Sequence, residues 1–219
     1  NPLVMEKAGI DAEVAKLSLL KSQWDNQRWS NQRESATLPG RIEKLRQRIE
    51  AIEADIADRV DVRGQRFCMV IDGQRFVDRT EAGNALVRYY VDAKARTRKI
   101  GNWKTAAGEI VVGQFAGFDL SVSIPTAGAD GPSFLLKKRR AYVAHHSDNP
   151  MGMVRVIENV ANALEGRLAE VHEYLARAEK RLADILAELS KPFDKEERLT
   201  QLLVRQREIN ASLDLDKGN

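Results

Sequence analysis

The residues with the most chemistry to offer are two basic segments interleaved with aromatics. Between Arg88 and Lys104, six basic residues (Arg88, Lys94, Arg96, Arg98, Lys99 and Lys104) accompany one acid, Asp92, and stand among Tyr89, Tyr90 and Trp103. A second run, Lys137-Lys138-Arg139-Arg140, has no acid near it between Ser133 and His146, and Tyr142 follows it. Cations neutralise phosphates and aromatic rings stack on exposed bases, so this pairing points to nucleic acid as the ligand. The competing reading is that lysines and arginines guard an exposed sheet edge against self-association. The formal net charge is only +3, and the positive charge is concentrated in the middle of the chain, residues 1–65 being neutral overall and residues 148–219 mildly acidic.

Other chemistries find less support. His145 and His146 are adjacent, and adjacent strand residues point to opposite faces. His172 falls on a solvated helix position, and with a single cysteine no zinc-type ligand set can be assembled. Cys68 lies in an apolar run, where cysteine behaves as a small buried hydrophobe. Gly113 and Gly117 lack phosphate-loop spacing and mark a bulge or tight turn instead. Glu196 and Glu197 lie on an exposed helix face without the apolar shielding that acid catalysis requires. No metal or cofactor is expected.

The elements that must position these residues are read from periodicity. From Ile157 the apolar residues Ala161, Leu164, Leu168, Val171, Leu175, Ala178, Leu182, Ile185 and Leu189 step by four and three without a break, the seam of a heptad repeat. A helix from about Gly152 to Ser190 would be roughly 55 Å long at 1.5 Å per residue and needs helical partners. Pro192 stops it, and a final helix carries Leu199, Leu202, Gln206, Ile209 and Leu213. At the other end, a helix over about Pro2 to Arg33 and a second through Ile42, Leu45, Ile49, Ile52 and Ile56 are separated by Leu38-Pro39-Gly40, which reads as the loop of an antiparallel hairpin.

Between these helical regions the period changes. Phe67 to Ile71 and Gln74 to Val77 flank Asp72-Gly73, a dipeptide that accepts the positive φ angles of a type I′ hairpin turn. Asp78 with Glu81 opens a short helix through Ala82, Leu86, Tyr89 and Ala93. Strands follow at Glu109 to Phe115 and Phe118 to Ile124, then a Gly- and Pro-rich loop over Pro125 to Pro132, then a strand or hairpin over Phe134 to His145. The fold class is α+β: long antiparallel helical hairpins, forming a coiled-coil stalk, flank a small sheet domain. The domains are expected at 1–65, 66–147 and 148–219. Helix two of the first hairpin and the long heptad helix are expected to pair antiparallel, with the sheet domain at one end of the stalk.

A single cysteine fits a reducing, cytoplasmic setting. Neither a secretory signal nor an apolar run of membrane-spanning length is present, so no membrane partner is expected. Starting at Asn1-Pro2 rather than Met, the chain reads as a fragment of something longer.

Short stretches along nearly the whole chain carry a family resemblance. They are Asn1 to Lys7, Asp11 to Val14 with Leu17, Phe67 to Val70 through Gly73, Phe76, Asp78-Arg79, Glu81 to Gly83, Ile157 to Asn159, and Pro192-Phe193 with Glu196 and Leu199. Together they resemble the C-terminal region of very large phage- and plasmid-borne proteins that combine an adenine-specific DNA methylase with a Swi/Snf-type helicase, phage defence-against-restriction proteins included. The resemblance implies a region beyond the helicase lobes. It transfers no catalytic residue, because the chain has no Gly-Lys-Thr loop, no Asp-Glu-x-His box and no Asn-Pro-Pro-Tyr motif. The expected role is a non-catalytic accessory module that contacts DNA or adjoining domains of the parent protein. The alternative is a coiled-coil scaffold whose sheet domain binds a protein.

Overall fold

A computed structural model describes residues 2–99, 108–124, 131–145, 147 and 149–217. Among these, five α-helices and an antiparallel sheet make an α+β chain. It divides into two compact units, one of residues 1–44 with 175–219 and one of residues 45–174. The division passes through two helices.

The first helix, α1, runs unbroken over Pro2–Ala57 with Pro39 inside it. The hairpin loop expected at Leu38-Pro39-Gly40 is absent, although an internal proline forfeits a hydrogen bond and costs about 3 kcal/mol. The heptad register explains the outcome. Ile10, Leu17, Trp24, Asn31, Leu38, Leu45 and Ile52 recur every seven residues straight through the proline, and Ile42, Ile49 and Ile56 continue the companion position. Leu17, Leu38, Ile42, Ile49 and Ile52 are all buried. A loop would have broken that seam.

In the first unit, the N-terminal part of α1 lies antiparallel to the end of α4 (Leu164–Leu189) and then to α5 (Glu196–Lys217). Arg181 pairs with Glu34, the Arg28 guanidinium donates to the Leu189 carbonyl, Lys21 pairs with Glu196, Arg198 with Glu13 and Arg205 with Glu6. The positions on α1 fall steadily as those on α4 and α5 rise. So α5 follows α4 along α1 in the same direction, and the C-terminal hairpin expected from Pro192 is not formed. Phe193, just past that proline, stacks on Trp24 at 5.9 Å and fills the junction. Leu17, Leu199 and Leu202 form the buried cluster beyond it, joined by Ile10, Val14 and Leu203.

The second unit is built on a six-stranded antiparallel sheet, in the order β2-β1-β3-β4-β5-β6. The strands are β1 (Met69–Ile71), β2 (Gln74–Phe76), β3 (Gly108–Phe115), β4 (Phe118–Ile124), β5 (Ser133–Lys137) and β6 (Ala141–Ala144). Asp72 (φ 51°) and Gly73 (φ 76°) make the tight turn expected between β1 and β2. At Gly113 the β3–β4 register shifts, and a Cβ there would sit 1.9 Å from the Val70 carbonyl oxygen of β1. Only glycine permits that approach.

Two helices, α2 (Arg79–Lys99) and α3 (Pro150–Asn162), pack on one face of the sheet and on each other. Asp78 caps α2, its Oδ1 accepting from the N–H groups of Thr80 and Glu81. Asn149 caps α3 in the same way, accepting from Gly152 at 2.6 Å. Phe118, Leu120 and Val122 of β4, with Phe134 and Leu136 of β5, are essentially fully buried on this face.

The long heptad helix expected over 152–190 is two helices, broken at Ala163. The Arg59 guanidinium meets the chain at this break, donating to the Ala161 carbonyl at 2.8 Å and pairing with Glu165. The seam persists across the break, with Ile157, Ala161, Leu164, Val171, Ala178 and Ile185 buried.

Candidate nucleic-acid interface

The two basic segments arrive on different elements. Arg88, Lys94 and Arg96 are each exposed on α2, which buries Ala82, Leu86 and Ala93. Arg96 pairs with Asp92 one turn back at 2.7 Å. The Lys94 ammonium sits 6.0 Å from the Tyr90 ring, and neither it nor Arg88 has a carboxylate partner among the described residues. Arg98 and Lys99 lie on the last turn of α2. Lys104 and Trp103 fall outside the described residues, as do His146 and positions 125–130 of the expected loop.

The run Lys137 to Arg140 forms the β5–β6 turn, and three of its four cations are already engaged. Lys137 pairs with Glu109 at 2.9 Å across the open face of the sheet. Since Lys137 is opposite Asp119 and Glu109 is opposite Ser123, that pair crosses β4 diagonally at Ser121. The Ser121 hydroxyl, followed by the Lys137 ammonium, holds the Glu109 carboxyl below its ordinary value. Lys138 reaches Asp58 at 3.5 Å, and Arg139 reaches Asp58 at 2.7 Å and Asp55 at 3.5 Å. The Arg139 guanidinium, with Lys138 behind it, keeps the Asp58 carboxyl below the usual carboxylate range.

Asp55 is fully buried at the end of α1 and organises this turn. It accepts from the backbone N–H groups of Arg139 and Arg140 at 3.1 and 3.2 Å and from the Tyr142 hydroxyl at 2.7 Å. A buried carboxylate is costly unless its oxygens are satisfied, and here three hydrogen-bond donors and the Arg139 guanidinium converge on it. Tyr142 is therefore a core residue, 3% exposed, and offers no ring to a nucleobase. Burial and the Asp55 carboxylate raise its hydroxyl pKa well above the ordinary value. Tyr89 is half-buried, and burial plus a hydrogen bond with Asp72 push it up to about 12.

Arg140 and Arg167 differ from their neighbours. Both guanidinium groups act electrostatically on Tyr142, and the Arg167 carbon lies 5.7 Å from its ring centre. Among the described residues neither has a carboxylate partner. Arg167 sits on α4, outside both basic runs, so linear spacing offered no signal for it.

Cys68 also departs from expectation. Phe67, Met69 and Ile71 face the core at 2%, 0% and 2% exposure, so strand alternation turns Cys68 and Val70 outward. Cys68 is half-buried, and it lines an open cleft of about 390 Å³ with Arg66, Arg75, Val62 and Gln114. Among the described residues no group of three His, Cys, Asp or Glu side chains is placed to hold a metal, and no helix is long and apolar enough to cross a membrane.

No family model matches the chain, and neither a curated protein nor a solved structure does.

Proposed function

We propose that this chain is a non-catalytic accessory module of a larger, cytoplasmic DNA helicase–methylase protein of the phage- and plasmid-borne kind its motifs resemble. In this reading it contacts the nucleic-acid backbone through the outer side of α2 while its helices pair in coiled-coil fashion to set spacing for adjoining domains. The observation that supports it best is that Arg88 and Lys94, exposed on α2 with Arg96, have no carboxylate partner among the described residues. Arg98, Lys99 and Lys104 extend the same segment in sequence.

The test is the salt dependence of duplex DNA binding. Each phosphate neutralised contributes a slope of about −0.9 in log K against log salt, so changing Arg88, Lys94 and Arg96 together to Ser should flatten the slope by about two to three. An unchanged slope in a folded variant removes α2 from the interface. The second reading, a scaffold whose sheet domain binds a protein, is favoured by one specific observation. Lys137, Lys138 and Arg139 face Glu109, Asp58 and Asp55, so most of that run's charge is answered within the chain.

A further inference from the structure

The sheet ends at β6, and the chemistry of that edge is unusual. The Lys138 N–H donates to the Arg140 carbonyl at 3.0 Å, which fixes the alternation of the β5–β6 ladder. Lys137 with Ala141 and Leu135 with Val143 are then the non-hydrogen-bonded pairs, and Leu136 with Tyr142 and Phe134 with Ala144 the bonded ones. The N–H and C=O groups of Ala141 and Val143 point away from β5, and no backbone group among the described residues receives them. Natural edges are blunted by lysine, proline or a bulge. The sequence Ala-Tyr-Val-Ala has no such guard, its register against β5 is unbroken, and Val143 is 42% exposed.

The charge beside this edge selects the occupant. Arg140 precedes the strand and Arg167 stands over Tyr142 in its middle, both without a carboxylate partner among the described residues. A second copy of β6 paired antiparallel would set these guanidinium groups against their own images. An acidic strand would satisfy them. We propose that β6 is a docking edge for an extended acidic segment of a partner protein, which joins the sheet as a seventh strand with its carboxylates on Arg140 and Arg167. The proposal is independent of nucleic-acid contact through α2.

The probe is a fluorescein-labelled peptide, Glu-Val-Glu-Val-Glu-Thr-Glu-Val, titrated into the full chain by fluorescence anisotropy. A second peptide with Lys in place of Glu is the control. Binding of the acidic peptide, with Ala141 and Val143 amides becoming slow to exchange, supports the proposal. Val143→Pro should weaken binding about tenfold or more through the lost edge hydrogen bonds. The fold should survive, because the outward N–H serves no internal bond. Arg140→Ser with Arg167→Ser should weaken it similarly and remove its salt dependence, whereas the Ser variants of Arg88, Lys94 and Arg96 should leave it unchanged. The proposal is overturned if the acidic peptide fails to bind at millimolar concentration. It is overturned equally if the basic peptide binds as well, if folded Val143→Pro binds like the parent, or if protection appears away from β6.

Discussion

The Tyr142 hydroxyl donates to Asp55 Oδ2 at 2.7 Å, joining the last strand of the sheet to the end of α1 across 87 positions of sequence. The same carboxylate holds the turn that carries the basic run. Tyr142→Phe removes one charge-assisted hydrogen bond and should cost about 1–3 kcal/mol in urea unfolding. Asp55→Ala should cost more, because it strands the buried hydroxyl together with two part-buried N–H donors. If the two variants unfold at the parent's midpoint, the turn is not anchored through Asp55.

Alkaline pH should expose the buried tyrosines. Tyr89 titrates near 10 in the unfolded chain and at about 12 in the folded one. A raised folded value means its contribution is complete below pH 10 and drains away as pH rises toward 12, because the unfolded state ionises first. Tyr142 acts in the same direction. Tyr89→Phe should therefore flatten the fall in stability between pH 10 and 12, read from urea midpoints. A fall as steep as the parent's would show that another group sets it.

Pro39 offers a test of the unbroken α1. Inside a helix it lacks an N–H and crowds the preceding turn, so Pro39→Ala should stabilise the chain by up to about 3 kcal/mol. Raised denaturant midpoints would confirm the continuous helix. A stability loss would show that residues 38–40 form a loop in solution.

Burial along α4 ranks its seam. Ile185 is 0% exposed, whereas Leu175, on the alternate heptad position, is only half-buried. Ile185→Ala should cost about 2–5 kcal/mol, Leu175→Ala less, and exposed Glu170→Ala about 0.5 kcal/mol or less. Equal costs for Ile185 and Leu175 would place the seam in a different register.

Local rules were sufficient wherever a feature depends on residues close in sequence. The α+β class, the Asp72-Gly73 hairpin, the Asp78 cap and the Ile157, Leu164, Val171, Ala178 and Ile185 row of the seam were legible because turn dihedrals, capping distance and side-chain period act within a few residues. Leu168, Leu175 and Leu182, by contrast, are only half-buried, and Ser121 of β4 is buried. What only tertiary structure decided involves partners far along the chain. Pro39 is a strong local breaker, but the seam on either side of it shares one register, and packing that seam outweighs one lost hydrogen bond. Ile157 to Leu189 reads as one helix, but it is divided at Ala163, and there the guanidinium of Arg59, 102 positions away in sequence, donates to the Ala161 carbonyl. Lys137 to Arg139 read as free positive charge, yet Glu109, Asp55 and Asp58 are brought to them by the sheet and by the end of α1. Arg140 and Arg167 become a pair only when β6 and α4 meet around Tyr142. Periodicity reports which face of an element is apolar, but it cannot report which charge will stand opposite another, since that depends on how distant segments pack.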